Sequence, residues 1–370
     1  MNNESNNEEY QNKFYQKHLP RVNNGQLKIK NDKTLNDLQF MQRFTLKYLY
    51  ISRCPNISFK HAFNEFSQTF YALKCQIKNL IGIDQNIALN TLYLSYNLIA
   101  DIKQLQTMIS LNFLALDFNQ IVDITPLSQL INLKQLYLYN NCIVDLSQIK
   151  NLHRLEILSV SNNKISSLSG IQYLTNLKKL IVSHNQITSL YIIKNLRNLK
   201  ELRADNNEIT DLHGVQHLKN LTSLYLSNNL ISDLSPLSAC IQLLTLLIEN
   251  NQISDLSPLK NICFLVHMSM EDNYISSVQP LSEQKYFRYL TLINQKKPSL
   301  AQIQTSTRMK TISTTRSHLE NIPSKRTVLQ SHFNSVTNIS ELLINAITNV
   351  QLNLSNKLLQ VFGTVEDASQ

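Results

Sequence analysis

The chain is predicted to fold as an α/β solenoid: an arc of short coils with a parallel β-sheet on the concave side, short 3₁₀ or single-turn helices on the convex side, and a C-terminal helix. Three observations carry this prediction. An asparagine recurs every 22 residues, at Asn97, Asn119, Asn141, Asn163, Asn185, Asn207, Asn229, Asn251 and Asn273. Around each stands one frame, L-x-x-L-x-L-x-x-N-x-I/L-x-x-I/L, as in Leu133-Leu136-Leu138-Asn141-Ile143-Leu146. Finally, a coil this short cannot bury its own leucines, so a core forms only when neighbours stack.

Residues 1–23 are polar and charged with few aliphatics, the composition of a disordered lead-in. The array is placed at 24–295. Counting back from Asn97, the ladder position falls on Cys75, then Cys54, then Asp32, each preceded by apolar strand residues. A degenerate last unit surrounds Leu290, Leu292 and Gln295, so the count is about twelve repeats and a thirteenth. The L-x-L segment reads as a short strand with inward leucines. The asparagine amide, donating and accepting at once, suits the backbone where the coil leaves the strand.

Four residues after each ladder asparagine comes Asp or Ser, from Asp101 to Ser277, and three units continue with Ser/Thr-Pro-Leu, as in Thr125-Pro126-Leu127. The hydroxyl before proline is expected to cap a single helical turn. The aspartate row lacks the glycine turns and convergent oxygens of a calcium ladder.

The frame N-x-I-x-D-L-S-P-L-x-x-L-x-N-L-x-x-L-x-L resembles the leucine-rich repeat family, in its 22-residue internalin-like and phosphatase-1-regulatory-subunit-like type. The likeness covers residues 24–295. It implies a concave sheet that binds proteins, and it admits a regulatory subunit of a phosphatase 1-like enzyme as an alternative. The end of the array, Gln284-Lys285-Tyr286-Phe287-Arg288-Tyr289, does not match that subfamily's closing cap.

After the array, the segment 296–337 is Ser/Thr-rich, and its stretch 296–326 holds seven basic residues against Glu320 alone, much of the chain's formal +9. It reads as a solvated linker. An acidic partner or an anionic surface is its expected counterpart, and RNA or anionic-lipid binding through this tail, with the solenoid as spacer, is a further alternative. At 338–363, Asn338-Ile339-Ser340-Glu341 resembles a capping box, and Leu343, Ile347, Val350, Leu354 and Leu358 follow at helical spacing. This amphipathic helix docks back, pairs as a coiled coil or binds another protein; 364–370 is a tail.

Five glycines and no tryptophan leave no phosphate-cradling loop. The cysteines, Cys54, Cys75, Cys142, Cys240 and Cys263, are odd in number and free of C-x-x-C pairs, which favours a reducing compartment. The opening stretch has no apolar core for a secretory signal and no run is long enough to span a bilayer, so a cytoplasmic location is expected.

Residues alternating with the leucines should line the concave side. That reading brings exposed aromatics to the earlier repeats (Tyr93, Phe113, Phe118, Tyr137, Tyr139), with Tyr225 further on. It brings acids to the later ones (Glu201, Asp205, Glu249), with Arg203 among them. Tyrosines on a rigid sheet offer contact area at small entropic cost, and the acids would select a basic partner. Ser183, His184 and Asp205 share adjacent strands, but an open sheet neither aims them at one another nor excludes water. His184 and His267 lie four repeats apart, too far to share a metal. The expected function is a non-enzymatic protein-binding scaffold or adaptor, with no cofactor, no metal and no DNA.

Overall fold

Each repeat begins with a few residues of extended chain whose aliphatic members are buried, and each such segment pairs with the next in parallel. The computed structural model describes residues 22–295 apart from 36–37, 39–45, 56, 60–67, 283 and 293. The linker at 296–337, the helix at 338–363, the tail and nearly all of the lead-in lie outside the described residues. The first strands are β1 (Gln26–Lys30), β2 (Tyr48–Ser52), β3 (Thr69–Leu73), β4 (Thr91–Tyr93), β5 (Phe113–Ala115) and β6 (Gln135–Tyr137). After them come β7 (Ile157–Ser159), β8 (Lys179–Ile181), β9 (Glu201–Arg203) and β10 (Ser223–Tyr225), then β11 (Thr245–Leu247), β12 (His267–Ser269) and β13 (Tyr289–Thr291).

These form one sheet in strictly sequential order. Leu92 faces Leu114, Leu114 faces Leu136 and Leu136 faces Leu158, so the leucine column is continuous. The rungs continue beyond the strands: the Tyr96 N–H donates to the Asp117 carbonyl at 2.9 Å, and the Phe118 N–H to that of Tyr139 at 2.8 Å. Within one coil Leu133, Leu136, Leu138, Ile143, Leu146, Ile149 and Leu152 are all fully buried. Burying each contributes about 2 kcal/mol of stabilisation, before chain entropy is counted.

The ladder asparagines bond as expected. Asn119 Oδ1 accepts the Ile99 N–H at 3.0 Å, while its Nδ2 donates to the carbonyls of Leu94 at 3.1 Å and Leu116 at 2.9 Å. One side chain thus ties two coils together. In the last unit Gln295 does the same, accepting from the Ile275 N–H at 2.9 Å and donating to the Met270 carbonyl at 3.0 Å. Cys54 and Cys75 occupy the earlier ladder positions, buried, with their thiols bonded to the Ser52 and Leu73 carbonyls.

The convex side carries short 3₁₀ turns, such as Thr125–Gln129 and Ser235–Ala239. Their caps differ from the expectation. The Asp or Ser four after the ladder asparagine accepts the N–H two residues on, from Asp101 with Lys103 (2.9 Å) and Asp123 with Thr125 (2.8 Å) to Ser277 with Gln279 (3.2 Å). The Ser or Thr before proline is therefore the capped residue, not the cap. Ile124, Leu234 and Leu256 hold the N-cap position without a side-chain acceptor. The hydroxyl of Thr125, Ser147 or Ser257, and after it the N–H of the same residue, holds Asp123, Asp145 and Asp255 below the usual carboxylate range. Where the turn opens on Gly170 or Gly214 instead of proline, φ is +102° or +106°, and a Cβ at Gly170 would lie 2.6 Å from the Leu146 carbonyl.

Cys240 is buried as a small apolar residue should be, with burial pushing its thiol up to about 11. Cys142 is only partly buried and Cys263 is exposed, because their coil positions face outward.

Candidate concave binding surface

The strands fix two concave positions per repeat, four and six residues before the ladder position. Tyr93, Phe113, Tyr137 and Tyr225 are half-buried there, as are Glu201 and Arg203. The position two before the asparagine behaves differently. Tyr139 is 4% exposed, Asp117 7% and Asp205 6%, so Tyr139 and Asp205 are not the open contact groups that alternation suggests. Alternation holds only inside a strand, and each strand ends at the fourth residue before the asparagine. The chain then turns, and the next residue but one folds under its neighbours. Glu249, in the same column, is half-buried.

The aromatic residues form a stack. Tyr50 and Tyr71 have ring centroids 5.6 Å apart, Tyr71 and Tyr93 4.2 Å, Tyr93 and Phe113 4.4 Å, and Phe113 and Tyr137 5.3 Å. Five successive strands, β2 to β6, contribute one ring each. The spacing follows from the sheet itself, since one ring per strand falls about 4.8 Å from the next. A second column lies along the rim, where Tyr96 stacks on Phe118 at 4.2 Å and Phe118 meets Tyr139 edge-on at 5.0 Å.

Tyr50, Tyr71 and Tyr96 are the members that sequence reading missed. Tyr50 and Tyr71 were legible: each stands four before the cysteine that replaces the ladder asparagine. Tyr96 was not, because it lies at the turn, in the left-handed conformation (φ 61°). Asparagine fills that position at Asn140, Asn162, Asn206, Asn228 and Asn250, whereas Arg53, Lys74, Tyr96 and Phe118 fill it in the earlier repeats at positive φ. A bulky side chain there costs on the order of 1 kcal/mol more than asparagine.

The later repeats bring charges together instead. Glu201 accepts from Lys179 at 2.9 Å and from Arg203 at 2.6 Å, and the Arg203 guanidinium lies 4.5 Å from the centre of the Tyr225 ring. Asp205 accepts from the Ser183 hydroxyl at 3.2 Å and the Ser227 N–H at 3.1 Å. Asp117 repeats this arrangement four units earlier with the Ser95 hydroxyl at 3.4 Å and the Tyr139 N–H at 2.8 Å. Burial outweighs these bonds and pushes the Asp117 carboxyl up to about 7. Glu249, which accepts from the Ser227 hydroxyl, is likewise pushed up to about 7 by burial. Asp205 is raised for the same reason.

Ser183, His184 and Asp205 are not arranged for nucleophilic attack. The serine hydroxyl points to the aspartate, and the His184 Nε2 lies 3.4 Å from the Asn206 amide. Among the described residues no group of three or more His, Cys, Asp or Glu side chains is placed to hold a metal ion. Nor, among them, is any helix long and apolar enough to cross a membrane.

Comparison with known proteins agrees with this geometry. A family model described as leucine-rich repeats (2 copies) matches residues 131–173, 175–220 and 219–261. No curated protein matches the chain. The internalin inlF of Listeria monocytogenes superposes with a TM-score of 0.61 at 27% identity, over 75% of this chain and 85% of that one. A leucine-rich repeat protein of Leptospira interrogans superposes with a TM-score of 0.58 at 21% identity, over 70% and 76% of the two chains. The ectodomain of the Arabidopsis thaliana receptor kinase GASSHO1/SCHENGEN3 gives 0.58 at 21%, covering 73% of this chain and 35% of that one. The likeness to the last two is one of fold.

Proposed function

We propose that this leucine-rich repeat protein is a non-enzymatic scaffold that captures another protein along the earlier part of its concave sheet. The observation that supports the reading best is the five-ring stack from Tyr50 to Tyr137. These rings stand on the solvent side of the sheet while the core behind them is filled by leucine, so no packing requirement puts them there. Such an array is rigid, and ordering it on binding costs little side-chain entropy. Of the neighbours in fold, the Arabidopsis ectodomain was solved in complex with CASPARIAN STRIP INTEGRITY FACTOR 2.

Tyr93, Phe113 and Tyr137 are the anchors of this reading, joined by Tyr50 and Tyr71, and Arg203 with Tyr225 forms a separate contact further along. Glu201, Asp205 and Glu249 have little charge to offer a basic partner, because the first is bonded by Lys179 and Arg203 and the others are buried against serine. A cytoplasmic location goes with this reading, since the cysteines are free thiols and burial pushes that of Cys75 up to about 11, where it is unreactive.

Affinity capture from native lysate, with mass-spectrometric identification, tests the scaffold. The full chain should retain a defined protein that the Tyr93→Ala/Tyr137→Ala variant loses while keeping its far-ultraviolet spectrum. Undiminished capture by the folded variant contradicts the reading.

A further inference from the structure

Both aromatic columns of the concave face begin with cations. At the head of the inner column Lys28 and Lys30, exposed on β1, place their ammonium groups 5.1 and 5.8 Å from the centre of the Tyr50 ring. Along the rim Arg53 and Lys74 precede Tyr96, and the Lys74 ammonium lies 4.8 Å from that ring. Among the described residues none of these four cations forms an ion pair. Of the carboxylates among the described residues of these repeats, Asp117 is buried and bonded, and Asp32, at the first ladder position, accepts from the Thr34 N–H and hydroxyl. Lys28 is held below the usual lysine range, first by desolvation and then by the neighbouring Lys30 charge. A carboxylate between them would relieve that repulsion.

The rings add a second constraint. Tyr71 and Tyr93 are within 10° of parallel at 4.2 Å, and Tyr96 and Phe118 within 11° at 4.2 Å, so each covers its neighbour's face. The other inner pairs are tilted by 32–42°, so it is at Tyr71–Tyr93 and Tyr96–Phe118 that a ligand meets ring edges. Ring edges carry the positive end of the aromatic quadrupole and prefer carbonyl and carboxylate oxygens, whereas bases and sugars need an open face to stack upon. Charge and quadrupole therefore point the same way.

Resting on the scaffold reading above, we propose that the partner segment held by β1–β6 is an acidic peptide, its carboxylates against Lys28, Lys30, Arg53 and Lys74 and its backbone and apolar side chains along the edges of the Tyr71–Tyr137 stack. The cations supply long-range attraction and the aromatic column the contact area. Lys74 and Tyr96 both stand at the left-handed rim position, at φ 58° and 61°.

The experiment uses the full chain and four labelled probes, read by fluorescence anisotropy. Three are synthetic peptides of equal length and leucine content whose remaining positions are all glutamate, all glutamine or all lysine; the fourth is oligouridine. The glutamate peptide should bind tightest, weaken with added salt, and lose about tenfold in affinity to Lys28→Gln/Lys30→Gln/Lys74→Gln. The same peptide should be insensitive to Lys219→Gln/Lys260→Gln on outward-facing coils. If the glutamine or lysine peptide binds as well and is lost on Tyr71→Ala/Tyr93→Ala, the acidic partner is wrong while the concave scaffold stands. Preference for oligouridine also overturns the proposal. If binding of every peptide ignores both the lysine and the tyrosine substitutions, both readings fall.

Discussion

The early half of the concave sheet, β1–β6, and the later half, β8–β12, share one backbone pattern, one apolar column and one ladder position per coil, yet they treat their surface groups in opposite ways. In the later half charge is satisfied internally: Glu201 holds Lys179 and Arg203, Arg203 covers Tyr225, and Asp205 and Glu249 are bonded to serines. In the early half four cations have no carboxylate partner among the described residues, three of them lying over tyrosine rings, and five rings line up in contact along the open face. A repeat lattice therefore fixes where side chains stand but not whether they are already used. Surface cations with no carboxylate partner are the ones left for another molecule.

The comparison can be broken most forcefully at the feature both halves share. Replacing Asn119 or Asn229 by Ala strands one buried N–H and takes from two carbonyls one of the two amide donors each has, and each should cost about 2–3 kcal/mol in chemical denaturation. Equal losses confirm that the halves are structurally alike. A much smaller loss at Asn119 would mean that the early repeats are held some other way.

A similar magnitude should attach to the buried carboxyls. The folded-state pKa of Asp117 is raised above its unfolded value, so the native chain binds more protons than the unfolded one between about pH 4 and 7, and stability falls as pH rises through that window. Asp117→Asn should remove that slope, leaving the variant on the order of 3 kcal/mol less pH-dependent than the parent between those limits. Glu249→Gln should act in the same direction, because Glu249 is raised to about 7 as well. Identical pH profiles for parent and variant would contradict the account of this buried column.

Smaller effects sharpen the difference between the halves. Glu201→Gln frees Lys179 and Arg203, and should change stability by less than about 1 kcal/mol while giving the later half a measurable affinity for the glutamate peptide. Asp255→Ala removes one cap from the convex side and should lower stability by about 0.5–1 kcal/mol, with no effect on binding.

Much of this was legible in the residues. The 22-residue spacing of asparagine, with two cysteines, an aspartate and a final glutamine in its place, marks every coil from β1 to β13. The inner aromatic stack follows from the same count, and Tyr50 and Tyr71 escaped only because their ladder residue is cysteine. Three features did not follow from periodicity. Tyr139 and Asp205 are buried because the strand has already ended where alternation would expose them. Tyr96 and Phe118 reach the rim through a left-handed turn that no period describes. The caps come from Asp and Ser two residues earlier than the Ser/Thr-Pro pattern suggests, because the 3₁₀ turn starts one residue past an aliphatic N-cap.

The measurement that bears most directly on the central claim is the affinity of a captured partner for two folded variants, Tyr71→Ala/Tyr93→Ala in the early half and Tyr225→Ala/Leu247→Ala in the later half. Loss of at least about tenfold in the first and little change in the second is the predicted result. The reverse order, or equal indifference to both, would contradict an account in which the unspent aromatic column is the binding surface.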